Sequence, residues 1–171
     1  MMTSVTSRIS AEEFKAALAA VCTPVTVVTT ACDGRPHGTT VSSFCSLSLD
    51  PPMVLVSLDK SSELLGLICQ SGCYGVNVLA RHQSAIARAF ARKGPDKFTG
   101  VGHEIVSGIP RIPGAAVWLQ CRLAGLVDGG DHVIALGVVE RAIQEPAEPL
   151  MYHDRVFRGL AALPSDASVP A

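Results

Sequence analysis

Residues Gly38 to Pro52 read GTTVSSFCSLSLDPP, and the apolar run MVLVSLD follows at once, ending at Lys60, Ser61 and Ser62. Hydroxyls at Thr39, Thr40, Ser42, Ser43, Ser46 and Ser48 are interleaved with Val41, Phe44, Leu47 and Leu49. So many small donors in one stretch suit a flat ligand rich in hydrogen-bonding edges. They also suit a sheet edge whose outer face carries Ser and Thr. Next, Ser57-Leu58-Asp59-Lys60-Ser61-Ser62 stands at a strand-to-helix junction. A helix N-terminus offers free N–H groups and partial positive charge, which attract a phosphate. Lys60 adds a full charge, and Ser61 and Ser62 add donors. Plain N-capping with a solvated lysine uses the same residues. A second junction, Leu79-Ala80-Arg81-His82-Gln83, offers Arg81 and Gln83 to the same phosphate or to the helix end. His132 follows Gly129-Gly130-Asp131 at a turn, where a histidine more often serves the turn than catalysis. Tyr152 and His153 could meet it in space.

Several standard sites are missing. Gly100-Val101-Gly102 lacks the third glycine of a dinucleotide fingerprint and opens no helix. There is no Walker sequence and no G-x-S-x-G, which disfavours P-loop and α/β-hydrolase chemistry. Cys69 and Cys73 form C-x3-C, not a usual zinc or thioredoxin spacing, so no metal is expected.

With 171 residues, the chain is expected to form a single domain over 1–171, with its core over about 11–160 and a disordered tail from Pro164. It is 48% hydrophobic and only 17% charged, which fits an oligomer that hides surface. The net charge of −1 and the lack of a basic stripe argue against nucleic acid. The longest apolar stretch, Ala16 to Val28, is broken by Pro24, so no membrane span is expected. MMTSVTSRIS does not read as a signal peptide, which points to the cytoplasm. The six cysteines are then expected to be reduced and buried.

The elements that must position these groups are mostly strands. Ser10 and Glu13 make a capping box ahead of a helix over Ser10 to Ala20. Val25 to Ala31 reads as a strand, joined through Asp33-Gly34 to Pro36 to Val41 as a hairpin. Met53 to Leu58 and Tyr74 to Leu79 are further strands. Helices are expected over Ser61 to Gln70 and Arg81 to Lys93, the latter with Arg88, Arg92 and Lys93 in its last turn. Ala116 to Leu126 and His132 to Glu140 are strands joined across Asp128 to Asp131. This mainly-β pattern with inserted helices favours a small closed antiparallel, Greek-key-like barrel over a doubly wound sheet.

The segments PVTVVTT, GTTVSSFCSLSLDPPMVLVSLDKSS, YGVNVL, GIPRIPGAAVWLQCRL, GGDHVIALGVV and PLMYHDRVF together resemble the flavin reductase family. Members are small NAD(P)H-dependent reductase components of two-component flavin monooxygenases. The resemblance covers about residues 11 to 160 and includes Gln83, Phe90 and Lys97-Phe98. It implies a split-barrel flavin-binding fold, usually a homodimer, using FMN or FAD with NADH or NADPH as donor. Thr40, Val41, Ser42 and Ser43 match the stretch along the isoalloxazine ring. Ser57, Leu58, Lys60, Ser61 and Ser62 match the stretch near the flavin phosphate, flanked by Ala80, Arg81 and Gln83. His132 matches a residue beside the nicotinamide, and Tyr152 and Arg155 fall in a segment that can approach the dinucleotide. His103 stands where members often carry tryptophan.

The implied activity is NAD(P)H:flavin oxidoreduction that supplies a reduced-flavin-dependent monooxygenase. Cofactors carry such chemistry, which accounts for the lack of a triad or metal motif. Two alternatives remain open at this level: a split-barrel oxidase acting on a small substrate such as pyridoxamine phosphate, and a non-catalytic flavin carrier.

Overall fold

Helix α1 (Ala11–Ala19) starts at a complete capping box. The Glu13 N–H donates to Ser10 Oγ at 3.1 Å, and the Ser10 N–H donates to Glu13 Oε2 at 2.8 Å. The structure is a computed structural model describing residues 8–94 and 96–161; the tail expected from Pro164 lies outside them. After β1 (Thr23–Pro24), β2 (Thr26–Cys32) turns directly into β3 (Arg35–Val41). Asp33 and Gly34 close that turn with φ of 50° and 74°, the left-handed pair that matches strand twist. Ser42 and Ser43 lead into β4 (Phe44–Leu49), and β5 (Pro52–Asp59) follows. Helix α2 (Glu63–Ser71) ends at Gly72, whose φ is 69°. Then come β6 (Cys73–Val78), α3 (Ser84–Ala91) and the small hairpin β7 (Glu104–Val106) with β8 (Ile109–Arg111). The long strands β9 (Val117–Gly129) and β10 (His132–Gln144) precede β11 (Met151–His153) and β12 (Val156–Arg158).

Seven strands form one antiparallel sheet in the order β3-β2-β6-β9-β10-β5-β4. Its two edges, β3 and β4, are neighbours in sequence. An extended chain spans at most about 3.3–3.6 Å per residue, so two linking residues require the sheet to curl until its edges nearly meet. They meet without pairing, which corrects the expectation of a closed barrel: the barrel is split between β3 and β4. The Ser57 N–H donates to the Ser43 carbonyl at 3.0 Å, holding the linker against β5.

Strand β2 is buried on both faces, and alternation separates its side chains. Val28 joins Val56, Leu58, Tyr74 and Val76 inside the barrel, with Leu64 and Ile68 of α2. Val27 joins Ala87 and Phe90 of α3, with Ile112 and Leu150, outside it. Gly38 permits the close seat of α3, since a Cβ there would stand 2.8 Å from Phe90 Cε1.

Four local expectations need correction. Helix α3 starts at Ser84 rather than Arg81, because the Gln83 carboxamide accepts from the Ala80 N–H and donates to the Pro113 carbonyl, organising a turn of its own. Arg92 is extended, so only Arg88 stands in the helix's last turn. Strand β9 continues to Gly129, since Asp128 and Gly129 still pair with Val133 and His132. The cysteines are free but mostly not buried: Cys121 is internal, whereas Cys22, Cys45 and Cys69 are exposed. Cys45 lies on an edge strand, and Cys69 lies on α2 next to the inward-facing Ile68.

Candidate functional site

Among the described residues, the split leaves polar groups without protein partners. The side chains of Ser42 and Ser43 make no hydrogen bond among the described residues, and both are exposed at the mouth of the split. Ser62 occupies the N-cap of α2, yet its side chain makes no capping bond. Three adjoining cavities gather around these groups. The smallest, about 230 Å³, runs from Thr40 to Ser43 on one side to Ser57, Leu58 and Ser62 on the other, with His132 on its wall. The second, about 310 Å³, lies between Thr40, Val41 and Ser42 and helix α3, with Arg88, Tyr152 and Phe157. The third is a cleft of about 1080 Å³ that joins Ser42, Ser43, Ser57 and His132 to Phe14, Lys15 and Leu18 of α1 and to Tyr152 and Arg155.

Local structure explains each position. Thr40 Oγ1 donates to the Ala87 carbonyl at 2.7 Å, anchoring β3 to α3 and leaving the threonine oxygen as an acceptor. His132 pairs in register with Asp59 on β5 and with Gly129 on β9. Its Nδ1 stands 2.8 Å from Asp131 Oδ1, and this contact holds the Asp131 carboxyl below its usual range. Asp59 accepts from Ser61 Oγ at 2.6 Å and from the Ser61 N–H at 2.7 Å, which lowers its pKa in the same way. Asp154 and Arg155 close the β11–β12 turn with φ of 53° and 61°. Left-handed backbone is uncommon for a long side chain such as arginine. Arg155 makes no ion pair among the described residues.

The structure thus brings together Thr40, Val41, Ser42, Ser43, Ser57, Leu58, Ser62, His132, Tyr152 and Arg155. Five further candidates do not line these cavities. Lys60 Nζ pairs with Asp128 at 3.0 Å, and Ser61 is engaged by Asp59. Ala80 is fully buried, Gln83 is 5% exposed and committed to backbone groups, and Arg81 pairs with Glu148 at 3.1 Å. Sequence reasoning missed the wall formed by α1 and the contribution of Arg88 and Phe157. The spacing of Phe14 and Leu18, one helical turn apart, was the available signal for the first. At His103 the imidazole packs edge-on against Phe98, with ring centroids 4.7 Å apart, taking the ring-packing role expected of an aromatic.

Residues 18–161 match the family described as a flavin reductase like domain. The chain belongs to that family. The flavin reductase-like domain is 37% identical over 165 residues to the reductase subunit HsaB of a flavin-dependent monooxygenase from Rhodococcus jostii, covering 95% of this chain and 83% of that one. It is 38% identical over 149 residues to the FMN reductase (NADH) SmoA of Agrobacterium fabrum, covering 86% and 85% of the two chains. Among solved structures, it is similar to the NADH:FAD oxidoreductase SgcE6 of Streptomyces globisporus in complex with NAD and FAD fragments. That match has a TM-score of 0.85 and 31% identity, covering 97% of this chain and 100% of that one. The chemistry of the site fits a flavin: unpartnered serine hydroxyls suit the polar edge of the ring, and the uncommitted Ser62 at a helix start suits its phosphate.

Proposed function

We propose that this flavin reductase-like domain is an NAD(P)H-dependent flavin reductase that supplies reduced flavin to a separate monooxygenase in the cytoplasm. The observation that carries the reading is the split itself: the side chains of Ser42 and Ser43, without hydrogen-bond partners among the described residues, share a cavity wall with His132. A bound FMN or FAD would supply the hydride-accepting chemistry towards reduced nicotinamide. The chain's residues bind and orient. Thr40, Val41, Ser42 and Ser43 lie along the ring, and their hydroxyls favour negative charge at its polar edge. Ser57, Leu58 and Ser62 flank the ribityl and phosphate end. Asp131 engages Nδ1 of His132, leaving Nε2 for the nicotinamide carboxamide. Tyr152 and Arg155 serve the dinucleotide across the wide cleft. Lys60, Ser61, Ala80, Arg81 and Gln83 support these groups from the flanks; Lys60 also lies close enough in sequence to Ser62 to exchange Asp128 for a phosphate.

The reading includes a homodimer. On the outer face of the sheet, Leu55 lies opposite Leu136, Met53 opposite Val138, and Ile134 beside Val127. These side chains are half-buried or exposed, and together they make an apolar strip suited to a second copy. NADH or NADPH consumption under air, with FMN, FAD or riboflavin and no organic substrate, tests the activity. Oxidation is expected only when a flavin is present. No flavin-dependent oxidation with any of the three overturns the reading.

A further inference from the structure

His37, Glu63 and Lys97 take no part in the site described above, yet they form one charge cluster beside its phosphate end. His37 lies on β3 and is 7% exposed. Its ring makes no hydrogen bond among the described residues, and Glu63 Oε2 stands 3.9 Å from its Nε2. Lys97 Nζ donates to Thr39 Oγ1 at 3.3 Å. Glu63 and Lys97 both act on His37 through space, and Glu63 acts on Lys97. Phe98 steadies the lysine's segment by packing edge-on against the buried Phe90 of α3, with ring centroids 4.8 Å apart.

The cluster joins the site at two points. Thr39, which accepts from Lys97, lines the small cavity. Ser62 lines it too, and Glu63 follows at once as the first residue of α2. A phosphate held at the start of α2 therefore feels the charge of the cluster. With His37 neutral, Glu63 cancels Lys97, and its carboxylate beside Ser62 opposes an anion. With His37 protonated, the cluster carries one net positive charge and attracts the anion. Burial favours the neutral ring, with Glu63 partly opposing and Lys97 adding to the effect. Protons reach His37 without passing the flavin. It lines, with Glu63, an open cleft of about 890 Å³ between the β2–β3 hairpin, α2 and residues 96–99, which shares no lining residue with the three cavities of the site. The other charges on the surrounding elements are Asp33 and Arg35 on the hairpin, Asp96 beside Lys97, Arg88 on α3, and Arg92 and Lys93 just past it. All are exposed, where solvent and salt weaken them, and Arg88 is stacked over Phe157. Strand β2, paired beside His37, carries no charged residue.

We propose that His37 is a proton-linked control on the flavin phosphate: its protonation, transmitted through Glu63 and Lys97, tightens the hold on a phosphorylated flavin, and deprotonation loosens it. The proposal rests on the flavin reading of the split. His37 acts as a positioning residue, through its two neighbours rather than by touching the cofactor. By reciprocity, a phosphate bound at Ser62 draws a proton onto His37. A looser hold at neutral pH suits a chain that passes its flavin on.

Equilibrium binding of FAD and of riboflavin to the full chain, followed by flavin fluorescence across pH, tests the proposal. FAD is the probe because its diphosphate keeps its charge over this range, whereas the monoester of FMN titrates near about pH 6. FAD is expected to bind about fivefold more tightly at about pH 5.5 than at about pH 7.5, while riboflavin, which lacks a phosphate, shows no such change. His37→Gln is expected to remove the pH dependence and leave the weaker affinity at every pH. Glu63→Gln, at an exposed position, is expected to tighten FAD binding at neutral pH towards the acid value, which a merely structural role for the cluster would not produce. FAD affinity that does not change with pH overturns the proposal. So does a pH dependence that riboflavin shares, or one that persists in His37→Gln. Failure of both flavins to bind at any pH overturns the reading of the split and the proposal with it, whereas the other results leave that reading standing.

Discussion

Lys60 Nζ lies 3.0 Å from Asp128 Oδ1, while the Lys60 N–H donates to the carbonyl of Asp131 at 3.0 Å. The residues that lead into α2 are thereby tied to the turn that presents His132. Both side chains of the ion pair are substantially exposed, so the pair contributes at most about 1 kcal/mol and is easily exchanged.

Ser62→Ala is expected to weaken FMN binding by about tenfold or more and to leave riboflavin binding nearly unchanged. Hydrogen bonds to charged groups are worth about 1.5–3 kcal/mol, and riboflavin has no phosphate. Lys60→Ala is expected to follow the same pattern. Titrations with both flavins check this; equal losses for FMN and riboflavin would reassign Lys60 to tethering the turn alone.

His132→Ala is expected to raise the Michaelis constant for the nicotinamide several-fold, with a smaller change in flavin affinity, because its ring is proposed to orient the carboxamide. Steady-state kinetics at fixed flavin read this directly. Unchanged nicotinamide kinetics with a lowered melting temperature would leave His132 as a turn residue only.

His37 should make stability depend on pH. Burial lowers its folded-state pKa below the ordinary histidine value, with Glu63 partly opposing and Lys97 adding to the shift. The unfolded chain then binds the extra proton first on acidification. The contribution is fully present above about pH 6.5 and is lost as pH falls from there towards the folded pKa. Melting temperatures measured between neutral and mildly acidic pH should show a shallower decline for His37→Gln than for the unmodified chain. Identical slopes would show that other groups control acid stability.

Leu136→Asp on the outer face of β10 is expected to turn a dimer into a monomer by light scattering at micromolar concentration. Leu136 lies between Leu55 and Gly125 in register, so the new carboxylate would fall within the apolar strip. A monomeric unmodified chain with full activity would contradict the dimer.

Local chemistry was legible in the sequence. The capping box of Ser10 and Glu13 and the Asp33-Gly34 turn depend only on neighbouring residues, and both form. The hydroxyl-rich stretch around Ser42 pointed to the site because its composition exceeds what a strand needs. What could not be read depends on distant partners. Alternation marks β3 and β4 as strands but does not say that they are opposite edges of one ladder. Gln83 looked available for a ligand until Pro113 came into hydrogen-bonding reach, as did Lys60 until Asp128 did. Cysteine burial was misread because apolar neighbours along the chain do not say which side of an element faces inward.

The linker Ser42-Ser43 makes the aperture of the site a matter of covalent length. Its width is gauged by two residues spanning from Val41 to Phe44, not by the volumes of the side chains behind it. Repacking the barrel interior should therefore leave the opening almost unaltered. One inserted residue would add up to about 3.3–3.6 Å of reach and uncouple the two sheet edges. Insertions and deletions at this point, more than substitutions in the core, are the route by which such a barrel would be refitted to a thicker or thinner aromatic guest.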